Sequence, residues 1–434
     1  MLQAMLSGVA SIKAQQSRMN VIGDNLANVN TTAFKGSRVS FAEMMSQTAR
    51  SASGATNGRG GVNPIQFGLG VSVSATDMNT NQGALNQTNR QTDLAIQGNG
   101  FFVTSNSQRM GFTRDGSFQV DSSGNLVQAA TGERVLGWKA DSIGNIDSAK
   151  ALTATDYVQI PNSLNSVQVT SKTVWAGNLN AASVPADTVT TSIRVYDALG
   201  GPHDLNLVMT NRQNPAAGAA PPAGANSSFD WQVWEGPVGT GTMMGSSAAA
   251  GNERMYFDSS GKRVTSLAAG VENMVTVAPP VGTPYAPFTI SLNFNSISQL
   301  TGSSQVNAID QDGFAPGSLQ NFAISQDGII TGIFTNGLTR PIAQIAMAGF
   351  NNPEGLERAG NNMFMESDNS GKAMIGLPRS GSRGILNTGF LEQSNVDIGS
   401  EFTDLIVTQR GFQANTKVVT TVDELLQELI NMKR

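Results

Sequence analysis

The stretch IGSEFTDLIVTQRGFQANTKVVTTVDELLQELINMKR, Ile398–Arg434, sets the fold of both ends of the chain. Ile398, Leu405, Phe412, Val419 and Leu426 fall seven apart without a break, and Phe402, Val422, Leu429 and Ile430 take the half-turn positions beside them. An apolar repeat of seven marks a helix that lays a narrow stripe against a partner. Asn395 or Asp397 stands where an N-cap belongs, and Lys433 and Arg434 suit the negative end of the helix dipole.

The partner stripe lies at the other terminus. Leu2, Met5, Val9, Ile12, Met19 and Leu26 follow a three-four alternation, Leu6 and Ile22 widen it, and Gln16 and Gly23 interrupt it. A lone helix is marginal in water, and each buried stripe residue contributes about 1.5 to 3 kcal/mol, so both stripes need covering. One solution is a two-helix stalk complete in itself. The other is a stalk whose remaining apolar surface is covered by further copies of the chain. Met5 and Met19 in the first stripe, with Met44 and Met45 beyond it, pack adaptably rather than fixing one geometry.

The first helix runs into NLANVNTTAFKGS, Asn25–Ser37. Asn28 and Asn30 tolerate left-handed backbone and bond locally, and Gly36 stops further helix, which leaves Val29 and Phe34 as anchors that dock outside it. Gln47–Gly70, rich in Ser, Gly, Ala and Asn, reads as an extended or flexible connection. From Val71 the texture is short apolar runs with turns at Asp115-Gly116 and Gly124-Asn125, and it returns at Phe322–Phe334 with turns at Asp327-Gly328 and Asn336-Gly337. Both read as antiparallel meanders of one discontinuous β domain. Between them, strands such as SIRVYDALG and DWQVWEG, broken by NPAAGAAPPAGANSS, read as a second, inserted β domain. The expected fold class is therefore multidomain α + β. It has a coiled-coil-like pair of terminal helices and antiparallel β domains, over 1–30 with 390–434, a connector at 31–72, a body at 73–172 with 305–389, and an insert at 173–304.

Composition narrows the function. With 434 residues, 39% hydrophobic, the chain exceeds one ordinary domain. A net charge of -5 with only 27 Lys and Arg argues against nucleic acid or an anionic membrane as partner. Cysteine is absent, which removes disulfides, thiolate metal sites and thiol nucleophiles. The start, MLQAMLSGVASIKAQQ, has no basic n-region and does not read as a cleavable signal, and no run approaches the roughly 18 apolar residues of a membrane helix. His203 is the one histidine, and after Gly200, Gly201 and Pro202 it reads as a turn residue rather than a base. GNGFF at Gly98–Phe102 lacks the lysine and helix start of a phosphate loop and reads as a tight lead-in to a strand, and Asp310-Gln-Asp-Gly313 reads as a turn rather than a calcium loop. No catalytic residue, cofactor or metal is expected.

DNLANVNTTAFKGSRVSF at Asp24–Phe41 resembles the amino-terminal signature of the bacterial flagellar rod and hook family of axial proteins, and Gly389–Arg434 is similar to that family's carboxy-terminal signature. GNGFF, FTRDGSF and the run from Gln326 to Leu356 resemble it too, so the likeness spans roughly 1–170 and 305–434. The long insert after Thr173 favours the hook branch over the rod branch. The resemblance implies a non-enzymatic subunit of a tubular polymer on the cell exterior, exported uncleaved by the flagellar type III apparatus. It implies contacts with itself, rod proteins, hook cap and hook-filament junction proteins. It also implies that Asn25, Asn28, Asn30, Thr31, Phe34, Lys35 and Gly36 mark where the chain leaves an inner helical layer. A straight distal rod subunit and, in another class, a secreted β-rich adhesin or carbohydrate-binding module are the competing readings.

Overall fold

The computed structural model describes residues 2–54, 59–141, 144–160, 165–185, 187–212, 221–249, 251–265, 267, 272–278 and 286–432. The Leu2 side chain, Lys433, Arg434 and the first half of NPAAGAAPPAGANSS lie outside the described residues. The chain forms two compact units. Unit 1 is Met1–Pro161 with Ala323–Thr331 and Pro341–Arg434, and unit 2 is Asn162–Phe322 with Gly332–Arg340.

In unit 1, helix α1 (Leu2–Ala27) and helix α2 (Ile398–Met432) pack together. They run antiparallel: Gly8 faces Val419, Ser11 meets Asn415, Gln15 meets Gly411, and Asn25 meets Glu401. Asp397 caps α2, its Oδ1 accepting from Gly399 N at 2.8 Å. Asn395 has a different task, described below. The chain leaving α1 forms two exposed hairpins, Ser37–Glu43 with Val71–Met78 and Ser46–Arg50 with Ile65–Gly68. An isolated bridge between Ser53 and Val62 extends the second, so this segment is paired strand rather than a loose connection. Its backbone groups bond across the hairpin, which the Gly/Ser composition does not reveal.

The body of unit 1 is a nine-stranded sheet built from short segments between Phe101 and Val135 and between Met347 and Gly376. Its core gathers Phe101, Val103, Phe112, Trp138, Ala346, Ala348 and Phe364. Phe101 meets Phe350 and Phe364 edge to face at 5.7 and 5.6 Å, geometry that suits the ring quadrupoles. Two small ladders hold the base of α2: Leu85–Gln87 pairs Phe390–Glu392, and Leu94–Gln97 pairs Ile385–Thr388.

Unit 2 is a β sandwich. Thr188–Tyr196, at the edge, pairs with Pro202–Arg212 and that with Ser227–Glu235 in one sheet, while Lys172–Asn180 lies between Phe288–Leu300 and Gln305–Gln311 in the other. Alternate residues of both sheets meet in one core that includes Trp175, Phe229, Trp231, Phe257, Ile290 and Phe294. Each buried indole has a partner, Trp231 Nε1 donating to Glu253 O and Trp175 Nε1 to Thr173 Oγ1.

Candidate functional site

The helix seam is built on two rows from each helix. In α1 the rows are Met5, Ile12, Met19 and Leu26, and Gly8, Gln15 and Ile22. In α2 they are Leu405, Phe412, Val419 and Leu426, and Glu401, Thr408, Asn415 and Val422. Every row repeats at seven, the period of a two-stranded coil. Met5, Ile12, Met19, Leu26, Leu405, Phe412, Val419 and Leu426 are residues of the stripes read from the sequence, as are the buried Ile22 and Val422 of the second rows, whereas Val9 of the expected α1 stripe stands 38% exposed. Phe402, Leu429 and Ile430, expected beside the α2 stripe, stand 48%, 47% and 67% exposed, and Ile398 stands 46% exposed. Three of the four residues in their place are polar, so apolar periodicity passes over that row.

Polar residues in the row are partnered. Asn415 Nδ2 donates to Ser11 Oγ at 2.6 Å, and Thr408 Oγ1 donates to Asp404 O at 2.6 Å with Thr408 fully buried. Glu401 accepts from Asn25 Nδ2 at 3.0 Å, and Arg18 pairs with Asp404 at 3.0 Å. Two glycines let the helices close: a Cβ on Gly8 would stand 3.0 Å from Val419 Cγ2, and one on Gly411 would stand 3.2 Å from Gln15 Nε2. A seam with this much hydrogen bonding fixes register more than it adds stability.

Burial, reinforced by the charge of Asp404, pushes the Glu401 carboxyl above the usual carboxylate range, against the opposing bond from Asn25. Its protonated form therefore suits the folded seam, which contributes stability at acid pH and loses it as pH rises through the raised value. Glu401→Gln should raise the melting temperature of the assembled helices at neutral pH. The gain should shrink as pH falls toward the ordinary glutamate value of about 4.3. A gain that is the same at both pH values would contradict this assignment.

Below the seam, the motif residues converge on the base of both helices. Asn28 Nδ2 donates to Asp24 O and Oδ1, and Thr31 Oγ1 to Asn28 Oδ1, which ends α1. Asn25, 1% exposed, closes a two-way bond with the Ser37 backbone, accepting from its N at 2.9 Å and donating to its O at 2.8 Å. Gly36 N donates to Asn395 Oδ1 at 2.8 Å, and Asn395 Nδ2 donates to the carbonyls of Asn79 and Asn81. A Cβ on Gly36 would stand 3.2 Å from Val396. Phe34 is buried under the Arg358 guanidinium at 5.0 Å, while Val29 is half-buried and Asn30 exposed.

Lys35 reaches furthest. Its Nζ donates to Glu392 Oε1 at 2.6 Å and to Asn81 O at 2.8 Å, and Glu392 Oε1 also accepts from Gly83 N at 2.9 Å. Arg114 Nη1 pairs with Glu392 Oε2 at 3.3 Å. All three side chains are buried. Burial pulls the Lys35 and Arg114 groups below their usual ranges, outweighing the support from Glu392. Ala33, held at φ 56°, donates its N–H to Glu392 O at 2.8 Å, so the strand before α2 fixes this turn from both backbone and side chain. Sequence reasoning does not single out Glu392, Arg114 and Arg358, because nothing local in the sequence pairs them with the motif, and Asn395, readable there only as a cap candidate, instead joins Gly36, Asn79 and Asn81.

Two further expectations are settled in unit 2 and outside any site. His203 is not in the turn but in the strand Pro202–Arg212, opposite Val195, because Asp197 closes the turn first by accepting from Leu199 N and Gly201 N. Its Nδ1 meets Glu235 Oε1 at 2.7 Å and its Nε2 meets Asp197 Oδ2 at 3.3 Å. Although burial opposes it, these two carboxylates raise the imidazole above its usual value, so the group works as a partner to Asp197 and Glu235. Asp312 spends its carboxylate on Ser171 N and Lys172 N, a strand connection.

The outer surface of the helix pair carries the remaining apolar groups. Leu6 and Val9 on α1 are exposed, as are Ile406, Val407, Val418, Leu425, Leu429 and Met432 on α2. Val407, Val418, Leu425, Leu429 and Met432 fall on one stripe about a quarter-turn from the α1 contact.

Four family profiles match the chain in sequence order. They are the flagella basal body rod protein at residues 5–35 and the flagellar hook protein FlgE/F/G D1 domain at 95–174. The flagellar basal body protein FlaE D2 domain follows at 164–314, and the flagellar basal body rod FlgEFG protein C-terminal at 387–432. The flagellar hook protein FlgE of Treponema pallidum is 38% identical over 100% of both chains, and that of Borreliella burgdorferi 35% identical over 100% of both. That of Salmonella typhimurium is 30% identical over 98% of each chain. A crystal structure of Helicobacter pylori flagellar hook protein FlgE2 aligns with a TM-score of 0.49 at 15% identity, covering 71% of this chain and 100% of that one. Matched along its whole length by hook proteins at 30 to 38% identity, and by rod and hook profiles at both ends and through the insert, the chain belongs to the flagellar hook protein family.

Proposed function

We propose that the chain polymerises into the curved, flexible tube of the hook and acts as a universal joint carrying torque from rod to filament. The observation that carries this reading is the apolar stripe left on the outside of the α1–α2 pair, which one copy of the chain does not cover. Leu2, Met5, Val9, Ile12, Met19 and Leu26, with Ile398, Phe402, Leu405, Phe412, Val419, Val422, Leu426, Leu429 and Ile430, form the polymerisation seam. The inner rows close on each other, and the outer ones on neighbouring copies. The role divides the chain into four: helical layer 1–30 with 390–434, connector 31–72, inner body 73–172 with 305–389, and outer insert 173–304. Exposed polar surfaces between outer domains can slide while the helices hold, which suits a tube that bends as it turns.

Rod proteins at one end and hook cap and hook-filament junction proteins at the other are the expected neighbours. Export uncleaved through the flagellar type III apparatus fits the same place. The role needs no cofactor and no catalysis. A straight distal rod is the second reading, and the match of 164–314 to the D2 profile favours the hook. Negative-stain microscopy of purified protein under polymerising conditions tests it. Curved tubes support the hook, straight ones the rod, and a monomer that binds glycans without assembling supports the adhesin.

A further inference from the structure

We propose that unit 1 binds a small oxyanion, a phosphate or a carboxylate, in the cavity beside Lys35 and Arg114. The cavity measures about 230 Å³. Its inner wall includes Lys35, Arg114, Gly100 and Phe101, all buried, and its rim includes Thr80, Asn99, Asn351 and Ser382. Two features point to an anion. The first is charge: two buried cations share the single carboxylate Glu392, the one acidic group in ion-pair range of either among the described residues. A buried positive charge without a counter-ion is costly, and an anion removes that cost.

The second is an unused donor. Arg114, 4% exposed, spends Nη1 on Glu392 and the Ile96 carbonyl and Nη2 on the Gly98 carbonyl. Its buried Nε–H has no hydrogen-bond partner. A guanidinium whose Nε edge is free takes an oxyanion readily, because the group is fixed, planar and always charged. The guanidinium carbon also lies 5.5 Å from the centre of the Phe101 ring, a cation–π contact that helps hold the group in place. On the rim, the side chains of Thr80, Asn99, Asn351 and Ser382 make no hydrogen bond to other described residues, so hydroxyl and amide donors stand available around the mouth. A neutral or cationic ligand would leave the extra charge unmatched.

The test is a titration of the full chain with inorganic phosphate at constant ionic strength, read by melting temperature and by phosphorus NMR line width. Wild type should show a saturable rise and broadening, with chloride at equal ionic strength producing neither. Arg114→Lys keeps the charge but deletes Nε–H, and Asn99→Asp sets a like charge at the exposed rim without touching the buried groups. Each should weaken phosphate at least tenfold. No saturation in wild type, an equal response to chloride, or undiminished binding in Asn99→Asp would overturn the proposal. Repeating the titration on assembled polymer identifies the oxyanion's source. Displacement of phosphate assigns the cavity to a carboxylate of an adjacent copy, and retention assigns it to a free anion.

Discussion

Glu392→Gln should weaken the base of the helix pair by about 3 to 5 kcal/mol, the usual cost of leaving a buried charge without its partner. Glu392 is 0% exposed in its side chain and joins Lys35, Arg114, Gly83 and, through its carbonyl, Ala33. An amide keeps the shape but leaves two buried cations facing each other. Hydrogen exchange on the full chain reads the loss: amides of Leu94–Gln97 and Ile385–Thr388 should exchange about a hundredfold faster or more. Those of Phe288–Leu300 in unit 2 should not change, because that strand belongs to a separate core. Adding Lys35→Met should recover part of the loss by removing one cation. Unchanged exchange in the single variant would mean the ion cluster does not hold this base.

Leu405→Asp should abolish polymerisation while leaving both β bodies folded. Leu405 sits in the α2 row that faces α1, level with Val21 and Ile22 in the antiparallel register. The substitution removes about 1.5 to 3 kcal/mol of apolar burial. It also sets a third carboxylate beside Glu401 and Asp404, one of them a full turn away on the same face, where like charges repel. Repeated in every subunit of a tube, a loss of that size raises the critical concentration by roughly 10- to 150-fold. Circular dichroism of the β bodies should be unaltered. Tubes of normal length and yield from this variant would remove the seam from the account.

Much of this architecture is legible in the sequence, and the reason is local. The row Leu405, Phe412, Val419 and Leu426 announces α2 because the helix period and the half-buried face against α1 coincide there, while Ile398, in the same heptad, stays exposed. The Asp327-Gly328 and Asn336-Gly337 turns are visible because Gly328 and Gly337 take left-handed backbone, whereas Gly116, expected in a turn, does not. What escapes is whatever two distant segments make together. Glu392 meets Lys35 across 357 positions and Arg114 across 278, and no periodicity links them. The row Glu401, Thr408, Asn415 and Val422 hides for a different reason: three of its four residues are polar, and Glu401 and Asn415 meet α1 through hydrogen bonds, which leave no apolar signal. His203 falls in a strand rather than a turn because the Asp197 side chain ends the turn earlier than Gly200-Gly201-Pro202 suggests. The hairpin over Ser46–Gly68 was hidden by Gly and Ser, which carry little strand signal even when paired.

A helical reconstruction of the assembled tube, at a resolution that shows side chains, tests the central claim most directly. The account predicts that Leu6, Val9, Val407, Val418, Leu425 and Leu429, exposed in one copy, are packed against helices of adjoining copies lining the inside of the tube. A tube held together by its β bodies alone, with that stripe still facing solvent, would contradict it.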